Sequence, residues 1–241
     1  MKNVNNSYLG SELGLFAKAI NWKRYWNSKI NMFIRGTRIL EVGVGIGTTT
    51  EILCEQGQTR EIWLGLEPDH ELFISLNKKK EEGHFPNYCT FRNGTLKSLQ
   101  ENELFDTILY IDVLEHIDDD IAEINHAATH INHRGTIVVL APAYQILFSE
   151  FDKEIGHFRR YNRKMLEDLT PEGFTIIKLF YLDSVGLLIS LANRLILHSP
   201  LPTYRQIEFW DNVIVKLSRL LDPLFYFSCG RSVIIVWQRI E

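Results

Sequence analysis

RILEVGVGIGTTT, from Arg38 to Thr50, reads as a strand that breaks into a glycine-rich turn and restarts as a helix. Ile39, Leu40 and Val42 are strand formers, and Glu41 lies near the strand's end. Gly43, Gly45 and Gly47 permit a tight turn in which backbone, not side chain, meets a ligand. Such a turn suits a nucleotide-type cofactor. A dinucleotide fingerprint would read G-x-G-x-x-G, whereas this spacing puts Thr48 at the third glycine position, which disfavours a nicotinamide cofactor. An ordinary glycine-rich strand-to-helix turn is the alternative.

Outward from this stretch, strand-like runs at 38–43, 61–67, 89–93, 105–112, 136–141, 174–181 and 232–239 alternate with helical periodicity. That alternation predicts an α/β fold, a Rossmann-like, doubly wound, seven-stranded and mostly parallel sheet with helices on both faces. Residues 132–135 read as the turn that ends a helix before the apolar strand from Thr136. Residues 15–34 carry apolar positions at three- and four-residue spacing and read as one amphipathic helix. It either packs on the sheet edge or forms a lid that lends Trp22 or Tyr25 to the cofactor turn.

Ligands of an open α/β sheet collect at the carboxyl ends of the strands. The second strand ends at Glu67 and Pro68, a carboxylate 24 positions after Gly43, within the range that binds ribose hydroxyls. Asp69 reads as the cap of the following helix. The third strand runs into Gly94, Thr95 and Leu96, and the fourth gives FDTILYIDVLEHI, residues 105–117.

An acidic residue two positions before G-x-G-x-G, followed by this fourth-strand stretch, resembles the class I S-adenosylmethionine-dependent methyltransferases. The likeness runs from LFAKAINWKRYW through GHFRRY and YLDSVGLLISLANRL to SVIIVWQR, and matches a widespread bacterial group of that family. It implies that Glu41 reaches toward the methionine ammonium and that the glycine turn bends around the aminoacyl and ribose parts. Gly94 to Leu96 would face the adenine, or form a plain turn, and Asp112 would lie against the methionine end. In the related ubiquinone-pathway O-methyltransferases, E-x-x-E-H at this position can hold a divalent metal. Asp112-x-x-Glu115-His116 is similar but begins on the shorter Asp, and no metal is assigned. His116 has three readings: general base, metal ligand, or a helix-start residue held by hydrogen bonds. The first makes it the catalytic candidate.

After the fifth strand comes a long loop holding Tyr144, Asp152, His157, Arg160 and Tyr161. It suits a hydroxylated or anionic acceptor, since Arg forks pair with carboxylate or phosphate. The competing reading is a salt-bridged loop in which Arg pairs with Asp152 or Glu154. The stretch 181–227, which includes Pro200 and Pro202, is apolar enough for a helical cap or for a wall admitting a lipid-linked acceptor from a membrane surface.

At 241 residues, 45% hydrophobic and 23% charged with net charge -4, the chain is expected to be one domain and to need no nucleic acid. Its expected parts are an N-terminal helical lid (1–36), a cofactor-binding core (37–142), and the acceptor-side loop, cap and last strands (143–241). Cys54, Cys89 and Cys229 form no C-x-x-C pair and fit a reducing compartment. The polar start lacks a signal-like apolar segment, so the expected location is cytoplasmic. The expected activity is methyl transfer, O-methylation favoured, from S-adenosylmethionine to a small-molecule, glycan or lipid-linked acceptor. Peripheral membrane contact would run through the apolar C-terminal region. The rivals are a non-catalytic module that binds the same cofactor and a nicotinamide-dependent oxidoreductase.

Overall fold

The computed structural model describes residues 11–55, 60–194 and 203–240. The expectations resting on residues 1–10 and on Pro200 and Pro202 lie outside them. Seven strands form one sheet: β1 Arg38–Val42, β2 Ile62–Glu67, β3 Cys89–Asn93, β4 Phe105–Ile111, β5 Ile131–Pro142, β6 Phe174–Leu182 and β7 Ser232–Arg239. Their order is β3-β2-β1-β4-β5-β7-β6. The first five are parallel, and β7 enters antiparallel between β5 and β6. The expected mostly parallel, doubly wound sheet is therefore present.

Strand residues alternate between two cores. Ile39, Leu109, Val138, Leu140 and Ile234 pack on one face, and Leu40, Ile108, Val139, Ile235 and Trp237 on the other. Burial on both faces explains why the central strands read as continuous apolar runs. The helices are α1 Ser11–Ala17, α2 Ile20–Ile30, α3 Thr48–Cys54, α4 His70–Glu81, α5 Asp120–Thr129, α6 Glu150–Glu154, α7 Arg163–Asp168, α8 Ser184–Ala192, α9 Tyr204–Phe209 and α10 Val215–Leu221. Trp22, Tyr25, Trp26 and Ile30 of α2 join the first core, and Ile124 and Ala127 of α5 the second. Asp69 caps α4 as expected, accepting from the amides of Glu71 and Leu72.

Two expectations need correcting. Residues 15–34 are not one helix: α1 ends at Ala17 and α2 begins at Ile20. Lys23 Nζ folds back onto the carbonyls of Phe16 and Ala17 (2.6 and 3.1 Å), placing a cation at the carboxyl end of α1, where helix carbonyls lack partners. Nor do residues 132–135 separate a helix from a strand. Ile131 already pairs with Phe105, and the next pair is Thr107 with Thr136, so the segment bulges inside β5. Gly135 lets it pass, because a Cβ there would lie 2.8 Å from the Asp106 carbonyl oxygen.

Cys54 and Cys89, distant in sequence, meet in the core with sulfurs 3.7 Å apart. Among the described residues no helix is long and apolar enough to cross a membrane.

Candidate active site

The parallel strands all end on one rim, and a single cavity there runs from the glycine turn past β4 and β5 to the start of β7. All three glycines of the turn have left-handed φ: 70° at Gly43, 59° at Gly45 and 84° at Gly47. Their surroundings differ. A Cβ on Gly43 would lie 2.6 Å from Val113 Cγ2, and one on Gly47 2.6 Å from Phe85 Cζ, whereas one on Gly45 would meet nothing nearer than Leu13 at 3.5 Å. Gly43 and Gly47 are thus also required by packing, and Gly45 presents bare backbone to the cavity.

Glu67 braces this turn from the end of β2. The amide of Gly45 donates to its Oε2 (2.7 Å) and that of Asp69 to its Oε1 (2.9 Å). Burial raises its pKa against those two bonds. The Asn93 side-chain amide and the Gly94 amide both bind the Glu67 carbonyl (2.8 and 3.0 Å), which draws the β3 end beside the turn. Pro68, Gly94, Thr95 and the fully buried Leu96 gather around Glu67 without lining the cavity. Glu41 lies beneath the turn, 1% exposed, its Oε2 accepting from Thr50 Oγ1 (2.7 Å) and Trp63 Nε1 (2.8 Å). Burial pushes its pKa up to about 7.

Asp112 follows β4 in a left-handed conformation, φ 55°, which turns it out of the strand and onto the cavity wall. Asp112 is exposed onto the cavity, and its carboxylate makes no hydrogen bond to a described residue. Burial raises its pKa, while His157, Lys23 and Arg231 pull it down. An unpaired carboxylate beside an open glycine turn fits a cationic group, such as the ammonium of an amino-acid-containing cofactor.

His116 also opens onto the cavity, and its ring stands edge-on to that of His157 with centroids 4.4 Å apart. Burial, and then the neighbouring imidazole, lowers its pKa to about 4, so it stays neutral at physiological pH. His157 Nδ1 hydrogen-bonds Asp152 Oδ1 at 2.9 Å, which aims Nε2 at Glu115 Oε1, 3.9 Å away. Asp152 is the hub of the loop. Wholly buried, it also takes Arg160 Nε and Nη2 (2.9 and 3.0 Å) and the Ser149 amide (2.8 Å). Burial alone would raise its pKa, but the His157 bond and the Arg160 charge outweigh that and hold it well below the usual range. The salt-bridged reading of this loop therefore describes Arg160, whose fork is occupied.

Glu115, His116 and His157 each offer a ligand atom within 4.8 Å of the others, and Glu115 Oε2 is buried with no hydrogen-bond partner. Two imidazoles and a carboxylate fit a divalent cation. This set replaces the Asp112-led spacing read from the sequence, since His157 arrives from the distant loop.

Tyr144 and Tyr161, expected at the acceptor, lie off the cavity. Tyr144 stacks on Tyr181 (5.1 Å), and Tyr161 is fully buried with its hydroxyl on Asp120 Oδ2 (2.8 Å). Of the two aromatic residues expected from the N-terminal helix, Trp22 lines the cavity, whereas Tyr25 is buried with its hydroxyl on Asp222 (2.7 Å). Among the wall residues that escaped the sequence reading of the site are Lys23, Trp210 and Arg231. No local pattern marks Trp210 or Arg231. For Lys23 the signal is a lysine on the buried side of an amphipathic helix, 7% exposed, its pKa lowered by burial to about 8.

Residues 19–188 match the family model described as a methyltransferase domain. The ubiquinone biosynthesis O-methyltransferase of Rhodopseudomonas palustris strain HaA2 is 26% identical over 113 residues, 47% of this chain and 43% of that protein. The chain thus spans less than half the length of the curated relatives it matches. Among solved structures, the plantazolicin methyltransferase in complex with SAH aligns over 99% of this chain and 89% of its own, with TM-score 0.58 and 13% identity. The cyclase SpnF aligns over 95% and 94%, with TM-score 0.61 and 13% identity. At these identities the structural likeness establishes the fold alone, and a cyclase among the neighbours shows that one fold hosts more than one reaction.

Proposed function

The chain belongs to the methyltransferase-domain family, and we propose that it transfers the methyl group of S-adenosylmethionine to an oxygen of a hydroxylated acceptor. The observation that carries this reading is a single cavity joining the bare Gly45 turn and the Asp112 carboxylate to the imidazole of His116. When bound, the cofactor supplies an electrophilic methyl group on a sulfonium. Asp112 receives its ammonium, and Lys23, whose Nζ retains a hydrogen beyond those given to Phe16 and Ala17, faces its carboxylate. Glu67 would use its remaining lone pairs for the ribose hydroxyls, and Gly94 and Thr95, at the end of β3 beside it, would border the adenine, with the buried Leu96 packing behind them.

His116 would take the acceptor hydroxyl proton as the oxygen–methyl bond forms and the methyl–sulfur bond breaks, its electron pair staying on sulfur in the departing S-adenosylhomocysteine. His157, fixed by Asp152, holds the second imidazole against it. Holding two reactants in line contributes about 7–11 kcal/mol, and a positioned base adds roughly 10²- to 10⁴-fold. A second reading rests on the orphaned Glu115 Oε2. With His116 and His157 it would hold a divalent cation, a Lewis acid that acidifies the acceptor hydroxyl. Chelation separates the two, since a base leaves turnover unchanged by EDTA and a metal does not.

A lipid-linked acceptor is supported by the C-terminal helices, whose Leu188, Phe209, Leu217 and Leu220 are exposed, as is Leu224 in the turn after α10. Calorimetric titration with S-adenosylmethionine and S-adenosylhomocysteine, with NAD⁺ as control, tests the cofactor. Micromolar binding of the first two alone is expected, and silence toward both in folded protein overturns the reading.

A further inference from the structure

β7 runs against its neighbours, so its first residues, not its last, reach the rim where the parallel strands end. Ser232 pairs with Pro142 at the carboxyl end of β5, which puts Arg231 on the cavity wall. In the strand order β7 stands three places from β1. At about 4.8 Å per strand, Arg231 starts roughly 14 Å from the glycine turn, on the acceptor side of the cavity.

Arg231 is built into place. Its guanidinium lies over the Trp210 ring, 5.0 Å from the centroid. That ring is itself pinned, because Trp210 Nε1 donates to Asp183 Oδ2 (2.8 Å) and the amide of Arg231 donates to the Asp183 carbonyl (3.0 Å). Asp183 is wholly buried and its Oδ1 is taken by Ser218 Oγ (2.6 Å) and the Gly186 amide (3.1 Å). Yet the guanidinium makes no hydrogen bond or ion pair with a described residue. Arg160, the other arginine of the cavity, is neutralised by Asp152 through two bonds. Asp183, Asp152 and Asp112 act on the Arg231 charge only from beyond bonding distance, so its donors are left for a ligand, and a buried guanidinium with unused donors is costly unless a ligand takes them.

Resting on the methyltransferase reading above, we propose that the acceptor carries an oxyanion group, a carboxylate or a phosphate, and that Arg231, stacked on Trp210, is the fork that binds it. Arginine presents paired donors that match either group bidentately, and the Trp210 ring beneath the guanidinium takes up none of them. The anion would then hold the acceptor by the end opposite its reacting hydroxyl, and Arg231 sets specificity without touching the methyl group.

The test uses the full chain loaded with S-adenosylhomocysteine, titrated calorimetrically with benzoate and phenyl phosphate, and with neutral benzamide as the control. Aromatic probes suit walls formed by Phe16, Trp22, Phe151 and Trp210. At least one anion should bind tenfold or more tightly than benzamide. Arg231→Gln should erase that ratio while S-adenosylhomocysteine affinity stays within about threefold. Arg231→Lys, which keeps the charge and loses the fork, should cut it at least threefold, and decides the matter if the Gln variant does not fold. Benzoate preferred over phenyl phosphate assigns a carboxylate, and the reverse a phosphate. The proposal is overturned if neither anion outbinds benzamide, weak or absent binding of all three included, or if the preference survives in the Arg231 variants. It is equally overturned if Lys23→Met, and not Arg231→Gln, removes the preference. Should the wild-type chain fail to bind S-adenosylhomocysteine, the methyltransferase reading falls, and the anion preference is judged separately on the chain alone.

Discussion

Glu41 sits in the core with Thr50 and Trp63 donating to one of its oxygens, and burial lifts its pKa from 4.5 to about 7. Between those two values the folded chain keeps a proton that the unfolded chain has lost. Stability is therefore full below pH 4.5 and falls as pH rises toward 7, by roughly 3 kcal/mol at 1.36 kcal/mol per unit. Glu41→Gln keeps an oxygen for both donors and removes the titration. Urea melts should show the variant more stable than wild type at pH 8 and no more stable at pH 4; an unchanged pH slope would refute the account. For His116→Ala we expect turnover to drop by 10²-fold or more with S-adenosylhomocysteine affinity nearly intact. The site was legible in sequence where one residue's neighbours in the chain define it, as at Gly43, Gly45 and Asp112. It was not legible at Tyr161, whose loop setting suggested an acceptor contact but whose ring fills the core against Asp120.

Within the glycine turn, three similar residues do different work, and paired substitutions separate them. Gly45→Ala meets open space, so it should cost only the left-handed strain of about 1–2 kcal/mol, while its methyl intrudes on the cavity and weakens S-adenosylhomocysteine at least tenfold. Gly47→Ala carries the same strain and drives a methyl into Phe85 and Leu76, so it should cost more than 3 kcal/mol. Comparable melting temperatures for the two would refute this division. Elements also explain where sequence reading erred. The apolar spacing across 15–34 is continuous, but α2 starts afresh because the Asn21 and Trp22 amides are capped by Asp211, 190 and 189 positions away (3.1 and 2.8 Å). No pattern local to the helix carries that information.

Across the molecule, Asp222 ties the N-terminal helix to the C-terminal cap. Its buried carboxylate accepts from Tyr25 Oη and the Asp183 amide on one oxygen and the Ser184 amide on the other (2.7, 2.8 and 2.9 Å). Asp222→Ala leaves those donors buried and unpaired, and should lower unfolding free energy by about 3–5 kcal/mol. A loss under 1 kcal/mol in denaturant melts would show that the hub does not join the two ends. At the same scale, the exposed apolar side chains of the C-terminal helices predict co-sedimentation with liposomes, weakened by Leu220→Asp and Leu224→Asp together. Protein left in the supernatant would count against a membrane-borne acceptor. The sequence by itself determined the strand count, the mostly parallel sheet, the glycine turn and the acidic residues after β2 and β4. These depend on periodicity and on neighbours a few residues apart. Only the tertiary structure decided that Arg160 is occupied by Asp152, that His157 meets His116 and Glu115, and that Arg231 stands open beside Trp210. The first is a pairing within one loop that the sequence left open against acceptor binding, the second comes from that loop folding over the end of β4, and the third from β7 entering antiparallel, a long-range pairing that no short stretch of chain encodes.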